Sequence, residues 1–365
     1  MQQKNFSYKY SRAFLHGLSL LYFVIPLGFQ YFTESNFYTY SSAQLNIAHV
    51  SIISFILISI FIETVFSGSL NTQGVRIAKF FAKEKKFIFL NYILMIPIIY
   101  SGLQLRLAGA GRVELVEAIH SVAIPGYGLI LFLSALSIAL NSNVKYLIFF
   151  IVFSVTIDLI YMGKIYSFLS LAVFFFYLDN RKIDFSFLRL MQIFGLGILF
   201  LAVVFTVRSD ATDGFMNILA VYSFVSEFVG VNSTIGWAWE YNTFGLPSQY
   251  LDFGKILENH YISNVGHGLA LAFPAYFVGN FGDYWLMSQL SFLLVTLLIV
   301  FHLKKIFGNI AVFLIIFNGQ HLLRHGPDIF LEKLMLYSLG ILFVILFFRL
   351  IKTATASNNA TSSLY

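Results

Sequence analysis

The chain has 365 residues, 58% of them hydrophobic and 11% charged, with a mean hydropathy of +0.80 and a net charge of +6. A soluble globular chain carries about 25% charged residues, so water is excluded as the solvent for most of this sequence, and so modest a charge argues against a nucleic-acid partner. The absence of cysteine excludes a disulfide framework and thiolate chemistry.

Long apolar runs without period-two alternation predict helices rather than an outer-membrane barrel. In chain order the predicted spans are 13–32, 46–66, 87–103, 122–140, 144–161, 164–178, 187–207, 284–301, 306–323 and 334–350. The first has a basic lead-in (Lys4, Lys9, Arg12) and no small-residue cleavage site after it, so it reads as an uncleaved first helix. With the amino terminus inside, the connections 1–12, 67–86, 141–143, 179–186, 302–305 and the tail fall on the cytoplasmic side. Together with the adjacent span ends they take 16 of the 23 Lys and Arg residues, including Arg76, Lys79, Lys83, Lys85 and Lys86. That asymmetry is the positive-inside pattern, and it predicts both termini in the cytoplasm.

The chain thus divides into 1–207 (seven spans), 208–283 (a large outer loop), 284–350 (three spans) and a Ser/Thr/Asn/Ala-rich tail, 351–365, that composition predicts to be disordered. Two loop segments, 214–231 and 265–282, are apolar enough to suggest further spans. Glu227 and Asn217 are costly at bilayer depth, and the segment between the two runs is acidic. Interfacial or re-entrant helices on the outer face are the preferred reading.

Seven basic residues fall outside, and four are arginines at outer span ends. Arg106 and Arg112 lie in the loop after the third span, Arg208 ends the seventh, and Arg324 ends the ninth. The guanidinium fork grips phosphate and carboxylate oxygens bidentately and stays charged when partly dehydrated. The set fits a vestibule for a diphosphate, against the plainer reading of snorkelling to headgroups or pairing with Glu114, Glu117, Asp210 and Asp328. His260, His267, His321 and His325 lie on the same side. His267 is the leading candidate for a general base, because Gly266 and Gly268 let a substrate approach the backbone closely; the plainer reading is a hydrogen-bonded structural histidine. Trp237 and Trp239 can stack on sugar rings or simply populate the interface. No metal-ligand spacing is present, so neither a metal nor another cofactor is expected. Glu63 and Asp158 lie near span ends and read as snorkelling or helix-pairing groups.

The loop's return carries Gly266-His267-Gly268, then Tyr276, then Asn280-Phe281-Gly282 before the span from Tyr284, and Leu323-Arg324-His325-Gly326 precedes the last helix. In these elements, and in its whole layout, the chain resembles the Wzy-type polymerases of bacterial O-antigen and capsular polysaccharide repeat units. That family places essential arginines on the periplasmic face and often an Arg-Gly before the last helix. The resemblance implies an all-α polytopic membrane protein of about 10 transmembrane helices, GT-C-like, in the bacterial inner membrane, with a large periplasmic loop containing interfacial helices. It implies an undecaprenyl-diphosphate-linked oligosaccharide as substrate, surrounding membrane lipids and a polysaccharide chain-length regulator as partners, and glycan transfer to the non-reducing end of another repeat unit. Many relatives carry a Glu shortly before the tyrosine where this chain has Pro274, and this shifts weight to His267 and Arg208 as catalytic groups. Arg106, Arg112, His260, Arg324, His325, Trp237 and Trp239 are then substrate-binding candidates. The competing readings are an O-antigen ligase, a membrane sugar O-acyltransferase and, in a different class, a polysaccharide flippase or transporter.

Overall fold

A computed structural model of the chain describes residues 8–28, 44–67, 72–123, 126–161, 163, 165–186, 189, 192, 195, 228–236, 238–239 and 271–362. Among these residues every regular element is helical. The reason is physical: in hydrocarbon each backbone N–H and C=O must be satisfied within its own segment. The helices are α1 (Lys9–Ser19, continuing through a π turn at Leu20–Val24), α2 (Gln44–Phe66), α3 (Thr72–Lys83), α4 (Lys86–Leu107), α5 (Arg112–Val122) and α6 (Tyr127–Leu140). After them come α7 (Val144–Ile160), α8 (Ile165–Arg181), α9 (Phe273–Phe281), α10 (Trp285–Phe307), α11 (Asn309–Arg324) and α12 (Pro327–Ser362). Among the described residues five stretches are long and apolar enough to cross a membrane: Lys9–Gly28, Ile47–Phe66, Lys86–Leu107, Phe273–Phe307 and Pro327–Leu350.

The bundle is layered. Residues 131–140 of α6 and 310–320 of α11 are buried without interruption. Around them stand helices that turn large apolar side chains outward, such as Ile56 and Ile60 on α2, Ile93 and Ile96 on α4, and Leu339 and Phe343 on α12. Phe132 on α6 stacks on Tyr337 of α12 with centroids 4.4 Å apart and planes at 5°, and it also meets Phe313 and Phe317 of α11. Phe176 of α8 closes this aromatic core against Phe313.

Polar contacts tie the helix ends together. Asp179 on α8 accepts the backbone N–H groups of Tyr10 (3.0 Å) and Ser11 (2.8 Å), so a carboxylate distant in sequence caps the amino end of α1. Asp158 on α7 does the same for α8 through Tyr166 and Ser167. Glu63 bridges α2 to Arg12 and His16 of α1. Lys304 of α10 donates to the carbonyls of Val65 and Ser67, which α2 leaves open at its end. Tyr8 donates to Asn309, and Asn141 donates to the Ala82 carbonyl. The described connections assigned from sequence to the cytoplasmic side therefore gather at one end of the bundle, called the basic end below.

Four expectations change. The connection 67–86 contains α3, whose Gly74 backbone lies against Gly308: a Cβ on Gly74 would sit 2.4 Å from the Gly308 Cα. The span expected at 122–140 begins only at Tyr127, because Ala123 is extended and Gly126 is left-handed (φ +81°), and α5 occupies the preceding loop. The span expected at 284–301 is joined by α9, and together they make the apolar stretch Phe273–Phe307. This stretch breaks at Gly282, and α9 folds back along α10 with Phe273 and Phe277 both meeting Phe292 at 5.7 Å. Finally, α12 continues to Ser362 where the composition predicts disorder; no Gly or Pro interrupts it after Gly340. The expected span 187–207 lies almost wholly outside the described residues.

Of the other loop segment only residues 228–231 are described, and they belong to a buried helix. Residues 228–236 are helical, and Phe228, Val231, Asn232, Ser233, Thr234 and Ile235 are all at most 2% exposed. Ser233 and Thr234 return their hydroxyls to the carbonyls three residues back, and Asn232 donates to the Tyr22 carbonyl in the π turn and to Ser51. Thr234 then accepts the Ala272 N–H at 3.0 Å. This bond joins the 228–236 helix to the residue before α9.

Replacing Asp179 leaves two buried N–H groups unsatisfied. Asp179→Ala should cost about 1–3 kcal/mol, read as a lowered Tm in detergent micelles, and Asp179→Asn, which keeps one acceptor oxygen, should cost less. An Ala variant as stable as the parent would contradict the capping role.

Candidate functional site

At the end of the bundle opposite the basic end, α11 runs into α12 through His325 and Gly326. His321 and His325 are four residues apart, the spacing that places side chains on one helix face. Their Nδ1 atoms are 3.2 Å apart, with ring centroids at 5.1 Å and planes at 46°. Such a contact requires one ring to donate its Nδ1–H and the other to present a lone pair, so the pair holds one imidazole as a hydrogen-bond acceptor. Arg324 lies between them in sequence and is half-buried.

The turn itself is tight. Gly326 has φ +96°, and a Cβ there would lie 3.0 Å from Asp328 Oδ1, 3.7 Å from a ring carbon of Tyr276 and 3.9 Å from Leu271. Pro327 opens α12 at the position where a missing N–H costs nothing. Asp328 sits in its first turn, where a carboxylate suits the helix dipole. One turn on, Glu332 and Lys333 pair at 3.5 Å. Tyr276 is carried by α9, whose Asn280 bonds back to the Tyr276 carbonyl at 2.8 Å.

The cluster therefore joins an imidazole pair, a guanidinium, a carboxylate and a phenol. It can donate hydrogen bonds to an anion and accept one proton. Beside it, α6 has 14 residues, about 21 Å at 1.5 Å per residue, too short for a hydrocarbon core of about 30 Å. Its first turn lies against Tyr337, where a Cβ on Gly128 would sit 3.7 Å from the hydroxyl.

Five of the nine sequence-predicted residues, Arg106, Arg112, Trp239, Arg324 and His325, fall among the described residues. Arg324 and His325 belong to the cluster. Arg106 ends α4 half-buried, and Arg112 opens α5; both stand at the α4–α5 junction rather than at the α11–α12 turn. The side chain of Arg112 lies outside the description. Glu114, two residues beyond Arg112, acts locally by accepting the Gly111 N–H at 2.9 Å and capping α5. Trp239 is half-buried and packs on the hydrophobic core, so part of its ring is already occupied. Arg208, Trp237, His260 and His267 lie outside the described residues. The sequence groups His321 with the expected outer-face histidines without singling it out; its i, i+4 relation to His325 was the available sign. Glu332 and Lys333 carried no such sign. Among the described residues no three His, Asp or Glu side chains gather as they would around a metal ion.

No family model, no curated protein and no solved structure matches this chain.

The imidazole contact should be energetically real. A double-mutant cycle of His321→Ala and His325→Ala should give a coupling of about 0.5–1.5 kcal/mol in thermal unfolding. Additive losses would mean that the two rings do not bond.

Proposed function

We propose that the chain polymerises lipid-linked oligosaccharide repeat units at the periplasmic face of a bacterial inner membrane, as its resemblance to the Wzy-type polymerases implies. The observation that carries this reading is the meeting of two sequence elements far apart in the chain. The α9 segment with Tyr276 packs on the Leu323-Arg324-His325-Gly326 turn, and these are the two stretches on which the resemblance rests.

In the proposed reaction the non-reducing-end hydroxyl of one repeat unit attacks the anomeric carbon of another. The bond from that carbon to the diphosphate oxygen breaks, and the electron pair leaves with undecaprenyl diphosphate. The hydroxyl proton passes to a base. Charge develops on the leaving diphosphate, and fixed guanidinium groups stabilise it more in the transition state than in the ground state. Arg324 is one such group, with Arg106, Arg112 and Arg208 as the others in this reading. For the base we favour His267, with His260 and His325 behind it. A general base contributes about 10²–10⁴-fold. The same arginine-rich periplasmic face would serve a ligase that transfers the finished glycan to another acceptor, and only the acceptor separates the two.

The test is chain length in cells that depend on this protein for polymer. Arg→Lys keeps the charge and loses the fork, so at two or more of Arg106, Arg112, Arg208 and Arg324 it should leave short or single repeat units. His267→Gln should do the same if His267 is the base. Normal ladders from all four Lys variants would remove the diphosphate vestibule, and a normal ladder from His267→Gln would remove the base assignment.

A further inference from the structure

At the basic end, α3 lies along the last turns of the apolar part of α12 and leaves a cavity of about 460 Å³ between them. Arg76, Lys79 and Lys83 follow one another at i, i+3 and i+7 and so share one face of α3. Arg349 faces them from α12, and Glu84 is the single acid on the wall. Four cations against one carboxylate make the cavity an anion site by charge. Among the described residues Arg76, Lys79 and Lys83 make no ion pair, and all three are exposed.

The remaining wall is apolar. Ile77 and Phe80 of α3 oppose Ile345 and Phe348 of α12, and Phe80 meets Phe348 edge-on at 5.2 Å. Next to this wall α12 turns Leu346, Phe347 and Leu350 outward, between 50% and 69% exposed, on the surface that hydrocarbon covers in a membrane. A small soluble anion would use the cations and leave the apolar wall and its outward continuation unused. A phospholipid uses both. The cavity is also held in shape, because α3 is fixed at one end by the Gly74–Gly308 backbone contact and at the other by Asn141 bonding to Ala82 at 2.9 Å.

We infer that this cavity binds the headgroup of an anionic phospholipid from the leaflet at the basic end. The phosphodiester lies among Arg76, Lys79, Lys83 and Arg349, and an acyl chain runs along the outward face of α12. Basic residues beside a membrane surface are the usual electrostatic means of holding anionic lipid, and here two helices confine them to one site. The inference uses the fold and its charges alone and stands whether or not the chain is a polymerase.

Native mass spectrometry and thermal unfolding of the purified full chain in neutral detergent test it, with phosphatidylglycerol, phosphatidylcholine and glycerol 3-phosphate as probes. Phosphatidylglycerol should bind and raise Tm, while the other two do neither at the same concentration. Lys79→Gln and Lys83→Gln alter exposed side chains only, so both variants should fold. Each should weaken phosphatidylglycerol binding about fivefold, and Lys145→Gln, outside the cavity at the same end, should not. Equal binding of phosphatidylcholine would reduce the site to an apolar contact. Equal stabilisation by glycerol 3-phosphate would make it a soluble-anion site, and unchanged phosphatidylglycerol binding in both variants would remove it. Any of these three results overturns the inference.

Discussion

Helix ends are where this protein has to be held together. In a bilayer, packing one apolar helix on another gains little, because lipid tails are as apolar as the side chains they replace. What lipid cannot supply is a partner for the open N–H and C=O groups at helix termini. Asp179 supplies it to α1, Asp158 to α8 and Lys304 to α2. Each reaches from one helix to the end of another, so each also sets how the two helices sit. The aromatic core around Phe132 fills the space that these locks define.

The same constraint explains the buried segment 228–236. Three consecutive polar residues lie deep in the bundle at almost no exposure. They are tolerated because Ser233 and Thr234 bond to their own helix and Asn232 bonds to the π turn of the first span, whose altered backbone leaves the Tyr22 carbonyl available. Thr234 passes the support on to Ala272 at the start of α9. The position of α9 decides where Tyr276 meets the Arg324–Gly326 turn, so the candidate site is tied through this chain of hydrogen bonds to the first helix. The two ends of the bundle consequently differ in kind. One carries a basic cavity, the other a tight turn with paired imidazoles.

Much of the architecture was legible in the sequence, because long apolar runs flanked by lysines and arginines leave few alternatives. Nine of the ten runs read as spans coincide with helices among the described residues. What hydropathy could not show were the elements whose placement depends on distant partners. α3 reads as a charged connection, yet it docks through a glycine that only matters because Gly308 lies opposite. α9 belongs to a run that hydropathy leaves open between a span and an interfacial or re-entrant helix, and its packing on Phe292 has no local sign. Asp158 reads as a snorkelling group, since nothing in its neighbourhood announces that it caps α8. For the site, Arg324 and His325 stood out by being basic where basic residues are rare. Tyr276 and Asp328 were also named in the sequence, but that both lie against Gly326 appears only in the fold.

The central claim is that α9 and the α11–α12 turn face the periplasm while α3 faces the cytoplasm, and the absence of cysteine from the chain makes it directly measurable. Single substitutions Tyr284→Cys, Asp328→Cys and Lys83→Cys, all at exposed positions, can be treated with a membrane-impermeant maleimide in intact spheroplasts. The account predicts labelling at 284 and 328 without permeabilisation and at 83 only after it. Labelling of 83 in intact spheroplasts, with 284 and 328 protected, would invert the molecule and contradict the proposed site.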